Sequence, residues 1–338
     1  AFTGDVILTL PMIQRLKAAL PQALVDMVVT PAGAGVLTNH PAISRVHVYD
    51  KKGTQRGVRA AHRLAKLLRG SRYDVALIPH RSLRSAAVCF TARIPQRIGF
   101  STSAGRFLLT DLVTYRTDEH EILRNMCLLA PLGVSNLSLE LPNLYPNEED
   151  RAAVISFLHS SGVKSDEAMI AIAPGSVWAT KRWLPERYRE LSRELLREGI
   201  TVVLVGGNDD VSLGNQICSG LKSGFINAIG KLTLLQSAEL IRRCKLLVCN
   251  DSTPMHLAVA MRTPVVAIFG ATVPAFGFAP VGPRDQIVET NGLPCRPCAI
   301  HGGNQCPIGT FECMTNITVQ HVLQRVRTLL QETPAGVR

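Results

Sequence analysis

The chain has 338 residues, 46% of them hydrophobic, and a formal net charge of +11 at pH 7. That length is about twice a typical domain, so two compact units are expected, each able to bury a core. No run reaches the roughly 18–20 uncharged apolar residues of a membrane-spanning helix and no basic-then-apolar leader opens the chain, so it reads as a soluble cytoplasmic protein.

The positive charge is concentrated. Residues 51–106 carry 13 Lys/Arg against one acid, Asp74, a window of +12. A charge run is ordinarily a solvated face. An excess this one-sided also fits an anionic partner, whether nucleic acid, anionic lipid or a phosphorylated glycan.

In chain order, "AFTGDVILTLP" starts as if part-way through an element, and a first strand upstream is expected. Residues 11–20 read as a helix with Pro11 in its first turn, followed by a strand at "LVDMVV". "VRAAHRLAKLLRG" has an amphipathic helical period, "YDVALIPH" is a strand and "RSLRSAAVCFTA" a further helix. Residues 133–150 hold turn formers without a helical period and suggest a linker. A second series follows: "AMIAIAPG" (strand), "PERYRELSRELLREG" (helix closed by Gly199), "ITVVLVGG" and "GFINAIG" (strands), "LLQSAELIRRC" (helix) and "KLLVCN" (strand). The expected division is 1–145, a linker region 146–164, 165–316 and a final helix 317–331. Two series of alternating β and α elements predict an α/β protein of two doubly wound domains with mainly parallel sheets and a cleft between them.

Ligands of such sheets bind where strands end, so polar residues directly after apolar strands are the places to look for chemistry. In "TGDVILTLP", Gly4 and Asp5 would follow the first strand, with Asp5 either functional or a helix cap. In "APGSVWATKRWLP", Gly175 allows close backbone approach, Ser176 and Thr180 offer hydroxyls, and Lys181 supplies a charge before the helix opened by Pro185. Backbone N–H groups, a helix dipole and a lysine suit a phosphate, although the Walker spacing is absent and a surface lysine beside a packed Trp183 is the plain alternative. In "CNDSTPMHLAVA", Ser252 or Thr253 caps a helix with Pro254 in its first turn. Capping does not account for His256, which is either a core histidine or a ligand of the site.

Taken in order, "GDVILTLP", "PGSVWATKRWLP", "VVLVGGNDD", "CNDSTPMHLAVA" and "PVVAIFG" resemble the motifs of the ADP-heptose:lipopolysaccharide heptosyltransferases, glycosyltransferase family 9. The resemblance covers nearly the whole chain, only the first strand being missing, and implies the GT-B architecture of two Rossmann-like domains. It implies Asp5, beside Gly4, as general base on the acceptor hydroxyl, and Lys181 as the cation neutralising the donor diphosphate. Gly175, Ser176, Thr180, Ser252 and Thr253 would line the diphosphate, Asp251 and His256 would orient the sugar or brace the loop, and Asp210 would match the ribose-binding acid or be a helix cap. Thr253 stands where members often carry Gly. ADP-heptose is the implied donor, displaced in an inverting step that needs no metal. The implied acceptor is the phosphorylated lipid A–Kdo inner core of lipopolysaccharide at the inner face of the inner membrane. Arg56, Arg59 and Arg63, at helical spacing, and His80, Arg81 and Arg84, after the strand "DVALIP", would meet it.

Rival classes find less support. A nucleic-acid binder would want an RNP-like aromatic pattern, and aromatic residues are only 5% of the chain. A dinucleotide oxidoreductase would want G-x-G-x-x-G after a strand, which is absent. A heptosyltransferase acting on protein acceptors of the autotransporter type remains an alternative.

Of nine cysteines, Cys89, Cys127, Cys218, Cys244 and Cys249 are scattered among apolar residues as small core side chains. Cys295, Cys298, Cys306 and Cys313 form a C-x2-C-x7-C-x6-C array with His301 inside it. Four thiolates suit a closed tetrahedral site for a structural Zn or Fe ion. Reduced thiols, a disulfide or a redox-active pair are the other readings.

Overall fold

The structure is a computed structural model and describes residues 2–51, 53–135, 137–164, 167–221 and 224–332. The chain divides into two compact units, Ala1–Asn143 and Leu144–Arg338.

In the N-terminal unit the elements run α1 (Thr3–Ala19), β1 (Asp26–Val29), α2 (Pro31–Ala34), β2 (Arg45–Val48), α3 (Gly57–Gly70), β3 (Val75–Ile78), α4 (Leu83–Thr91), β4 (Gln96–Phe100), β5 (Asp111–Val113) and α5 (Glu121–Met126). β1 and β2 pair in parallel, and β3, β4 and β5 form a second parallel sheet in that order. Ala65 and Leu68 of α3 pack on Val88 of α4 and on Ala92 and Ile94, the face that the period of "VRAAHRLAKLLRG" predicts.

The start of the chain departs from expectation. Gly4 and Asp5 lie in the first turn of α1, not in a strand-to-helix loop, and Pro11 sits inside the helix rather than at its start. Proline donates no N–H, so the bond to the Ile7 carbonyl is lost. Burial sustains the helix: Val6 through Ile13 are all buried. A helix apolar on every side shows no amphipathic period, which is why the sequence shows a helix only from residue 11.

The expected linker region 146–164 is a second correction, because it contains helix α6 (Glu148–Ser160). The residues that read as turn formers are its start. The Asn147 side chain accepts the Asp150 N–H at 2.8 Å, the Asp150 carboxylate accepts the Asn147 N–H at 3.2 Å, and Glu148, Glu149 and Asp150 fill the positive first turn.

The C-terminal unit continues with β6 (Met169–Ala173), α7 (Pro185–Arg197), β7 (Thr201–Leu204), α8 (Val211–Cys218), β8 (Phe225–Asn227), α9 (Leu234–Arg242), β9 (Leu247–Asn250), α10 (Thr253–Ala260), β10 (Val265–Phe269), β11 (Gln286–Glu289), α11 (Glu312–Thr315) and α12 (Val319–Gln331). All six strands are parallel, in the order β11-β10-β9-β6-β7-β8. Every residue of β6, β7, β9 and β10 is buried, as a sheet covered on both faces requires. On one face Ile170, Ile172, Val202, Leu204, Val266 and Ile268 pack against Tyr188, Leu191 and Leu195 of α7 and Val322, Leu323 and Val326 of α12. The strand order reverses between β6 and β9, and a doubly wound sheet opens a crevice at the carboxyl ends of such a pair.

Candidate active site

The two loops at that crevice are locked together by one side chain. Asn250, the last residue of β9, is fully buried. Its Oδ1 accepts the Trp183 N–H at 3.0 Å and the Tyr188 hydroxyl at 2.9 Å, and its Nδ2 donates to the Pro174 carbonyl at 2.7 Å. The loop after β6 is thereby fixed to the end of β9. Trp183 is 1% exposed, donates its indole N–H to the Ile317 carbonyl at 3.0 Å and meets Tyr188 edge-on at 4.9 Å between ring centroids.

Lys181 is held at this crevice by Asp251, Nζ to Oδ2 at 2.6 Å, with their side chains 13% and 8% exposed. The Thr272 hydroxyl donates to the same Oδ2 at 2.7 Å. Asp251 therefore orients the lysine, which keeps two further N–H donors for a ligand. Thr180 accepts the Gly303 N–H on its hydroxyl at 2.8 Å and donates its own N–H to the Gly303 carbonyl at 3.0 Å, so the segment around Gly302 walls this side. Arg182 donates to the Ser176 carbonyl at 2.7 Å.

Ser252 occupies the N-cap position of α10, but its hydroxyl turns back to the Asn250 carbonyl at 3.3 Å and no side chain caps the helix. Pro254 carries no N–H and the Met255 N–H donates to the Ser252 carbonyl at 3.1 Å, so the Thr253 N–H is the one that the first turn of α10 leaves for an anion. His256 is 7% exposed, between the buried Met255 and Leu257. Asp210 accepts the Gly207 N–H at 3.1 Å, and its carboxylate lies against Gly175, where a Cβ would come within 2.2 Å of Oδ1. Burial raises its pKa, opposed by the Gly207 N–H and Arg182.

In the N-terminal unit the Asp5 carboxylate accepts the Phe2 N–H at 2.9 Å in the first turn of α1, where a helix start favours a negative group. His80 follows β3, bonds through Nδ1 to Ser82 Oγ at 2.9 Å, and Ser82 caps α4. Partial burial and the charge of Lys51 lower the His80 pKa to about 4, with Asp5 acting in the opposite sense, so at neutral pH it is an uncharged imidazole within electrostatic reach of Asp5. Arg81 lies 4.1 Å from the Tyr115 ring centre. Arg59, Arg63 and Arg84 are exposed and make no hydrogen bond or ion pair among the described residues. Arg56 precedes α3 at its N-cap position, so only Arg59 and Arg63 share the helix itself.

Sequence reasoning missed Tyr115, Glu121 and Arg124. Arg124, 3% exposed, donates to Glu121 at 3.1 Å, to the Tyr115 hydroxyl at 3.0 Å and to the carbonyls of Arg116 and Thr117 at 2.7 and 2.6 Å. Burial raises the Glu121 pKa, opposed by its bonds from Arg124 and Tyr115 and reinforced by Asp5. This cluster fixes the ring on which Arg81 rests. The residues are far apart in the chain from the strand-end motifs, and no spacing signals their convergence.

The four clustered cysteines do not gather as ligands: among the described residues no three His, Cys, Asp or Glu side chains are placed to hold one metal ion. They do feel one another. Burial and the neighbouring Cys298 and Cys306 push the Cys313 thiol up to about 11, whereas N–H groups from Phe311 and Ile308 lower that of Cys306. Arg296, between Cys295 and Cys298, donates to the carbonyls of Gly270 and Thr272 at 2.6 and 2.8 Å, and the Cys298 N–H donates to the Ala271 carbonyl at 2.9 Å. The Cys-rich loop is thus tied to the turn that supplies Thr272 to Asp251.

The family model of glycosyltransferase family 9 (heptosyltransferase) matches residues 61–306. Lipopolysaccharide heptosyltransferase 2 of Salmonella typhimurium is 29% identical over 342 residues, 98% of this chain and 97% of that protein. The solved glycosyl transferase family 9 protein of Veillonella parvula is 25% identical with a TM-score of 0.89, covering 98% of this chain and 96% of its own. ADP-heptose lps heptosyltransferase II of E. coli is 26% identical with a TM-score of 0.80 over the same shares. The architecture is accordingly GT-B, and the chain belongs to glycosyltransferase family 9, the heptosyltransferase family.

Proposed function

We propose that this enzyme moves a heptose from ADP-heptose to the inner core of lipopolysaccharide, with inversion at the anomeric carbon. The observation that carries the donor half is the Lys181–Asp251 pair beside the uncapped start of α10, at the point where strand order reverses. A diphosphate there meets a cation fixed from behind, the Thr253 N–H and the positive helix end. In this proposal Asp210 takes the hydroxyls of the nucleoside, which its carboxylate beside Gly175 supports.

On the acceptor side, Asp5 takes the proton of the attacking hydroxyl. The hydroxyl oxygen bonds to the anomeric carbon as the bond to ADP breaks, and ADP leaves with the electron pair, its charge met by Lys181 and α10. Asp251 acts through Lys181 rather than on the sugar. His80, Arg81, Arg84, Arg56, Arg59 and Arg63 face the phosphorylated glycan.

Peripheral attachment at the cytoplasmic face of the inner membrane is part of the same proposal. The lipid-borne acceptor and the +12 window support it, and among the described residues no helix is long and apolar enough to cross a membrane. A structural Zn or Fe ion on Cys295, Cys298, Cys306 and Cys313 is a separate proposal that would require the loop to draw together, and no chemical step passes through it. Metal content per chain, measured on protein purified without chelator, decides it.

The deciding experiment for the reaction is product analysis after incubation with ADP-heptose and defined truncated lipopolysaccharides. One added heptose of inverted configuration on the lipid acceptor is expected. Labelling of a protein acceptor with none of the lipids modified would overturn the lipopolysaccharide reading.

A further inference from the structure

Away from the end of β3 that His80 follows, the N-terminal unit has a groove of about 580 Å³. It lies where β4 begins and where α3 and α4 end, lined by His62, Arg69, Phe90, Arg93, Ile94 and Arg97, and no acid lines it. Arg97 is immobilised, its Nε donating to the Leu108 carbonyl at 2.7 Å, and its guanidinium sits 5.5 Å from the Phe90 ring centre. Phe90 is nevertheless 52% exposed. Arg69 and Arg93 are exposed, and their side chains make no hydrogen bond or ion pair among the described residues.

Arg93 also holds a backbone that its side chain does not favour. Directly after α4, its φ is +59°, the position at which helices usually place Gly. Arg72 repeats the arrangement after α3, at φ +53°. Cations thus stand at two turns where glycine would relieve strain.

We propose that this groove docks onto the anionic headgroups of a lipid bilayer, Arg69 and Arg93 meeting phosphates while Phe90 enters the acyl boundary. Charge complementarity selects an anionic partner, and the exposed aromatic ring among the arginines selects one with hydrocarbon behind its phosphates. A nucleic acid would use stacked aromatic rings, and the groove has one. The inference rests on the proposed lipid-borne acceptor for its purpose, but the groove uses none of the residues assigned to donor or acceptor.

The test is co-sedimentation of the full chain with vesicles of phosphatidylcholine alone or with about 30% phosphatidylglycerol, at low and physiological salt. Binding to the anionic vesicles only is expected. Arg69→Ala with Arg93→Ala should weaken it about thirtyfold, on about fivefold per arginine at a membrane surface, and Phe90→Ser should weaken it at both salts. Arg93→Gly should lose affinity with an unchanged or raised unfolding midpoint, which separates docking from a role in folding. All variants should retain wild-type transfer to a deacylated, water-soluble acceptor, a readout that fails separately if the reaction itself is misassigned. Equal weakening by Arg193→Ala with Arg325→Ala in the other unit would make the attraction one of net charge and overturn the proposal. So would groove-dependent binding of a random oligonucleotide without binding to vesicles.

Discussion

In the C-terminal unit the polar residues of the donor side are buried and tied: Asn250 makes bonds to Trp183, Tyr188 and Pro174, and Lys181 and Asp251 hold each other beneath Thr272. On the proposed acceptor side the side chains of Arg59, Arg63 and Arg84 stand in water without partners among the described residues, while Arg81 rests on Tyr115. The contrast follows from the ligands. A nucleoside diphosphate has one shape, so fixed donors lose no side-chain entropy when it binds. A phosphorylated glycan is branched and mobile, and long exposed cations adapt to it while contributing mainly through the summed field.

The comparison can be broken at several points. The largest effect is expected on the acceptor side, where Asp5→Asn should lower turnover by about two to four orders of magnitude while leaving ADP affinity intact. Steady-state rates with calorimetry check this, and wild-type turnover would remove Asp5 from the chemistry.

Acid should also separate the units. His40 in the N-terminal unit is 4% exposed, and burial lowers its pKa from 6.5 to about 4. The unfolded chain binds this proton more readily, so stability is full above pH 6.5 and declines as pH falls toward 4, by roughly 3 kcal/mol at the lower end. Both tryptophans, Trp178 and Trp183, lie in the C-terminal unit. Far-ultraviolet circular dichroism should therefore begin to change at a higher pH than tryptophan fluorescence, and His40→Leu should bring the two transitions closer.

Asn250→Ala sharpens the donor side. It leaves the Trp183 N–H and the Tyr188 hydroxyl buried without their acceptor, which should destabilise the C-terminal unit by about 2–4 kcal/mol in urea unfolding. Lys181→Ala should weaken ADP binding by roughly 1.5–3 kcal/mol in calorimetry; unchanged affinity would place the diphosphate elsewhere. The smallest effect belongs to the exposed cations. Reversing Arg56, Arg59 and Arg63 to Glu should raise the acceptor KM by about 1–2 kcal/mol equivalent, less at high salt, with ADP affinity unmoved.

Local patterning was enough to read most of this molecule. Apolar runs such as "MIAIA" and "VVAIF", each followed by a polar turn and a helical period, declare a buried parallel strand and its crossover. Since ligands of such sheets sit at strand ends, Gly175 and Lys181 stand out as candidate site residues from their position, and Asp251 and Thr253 from the resemblance to the family. Two elements were hidden by the same logic: α1 is apolar all round and carries no period, and α6 begins with Asn and acids that serve turns and helix starts equally. Tertiary structure alone decided the partners. That Asp251 grips Lys181, that Asn250 ties two loops 76 residues apart, and that Arg124 and Tyr115 brace Arg81 depend on side chains meeting across strands distant in sequence. A propensity or a period describes one segment at a time, whereas a buried hydrogen bond is satisfied only by whatever group the packed sheet brings to it.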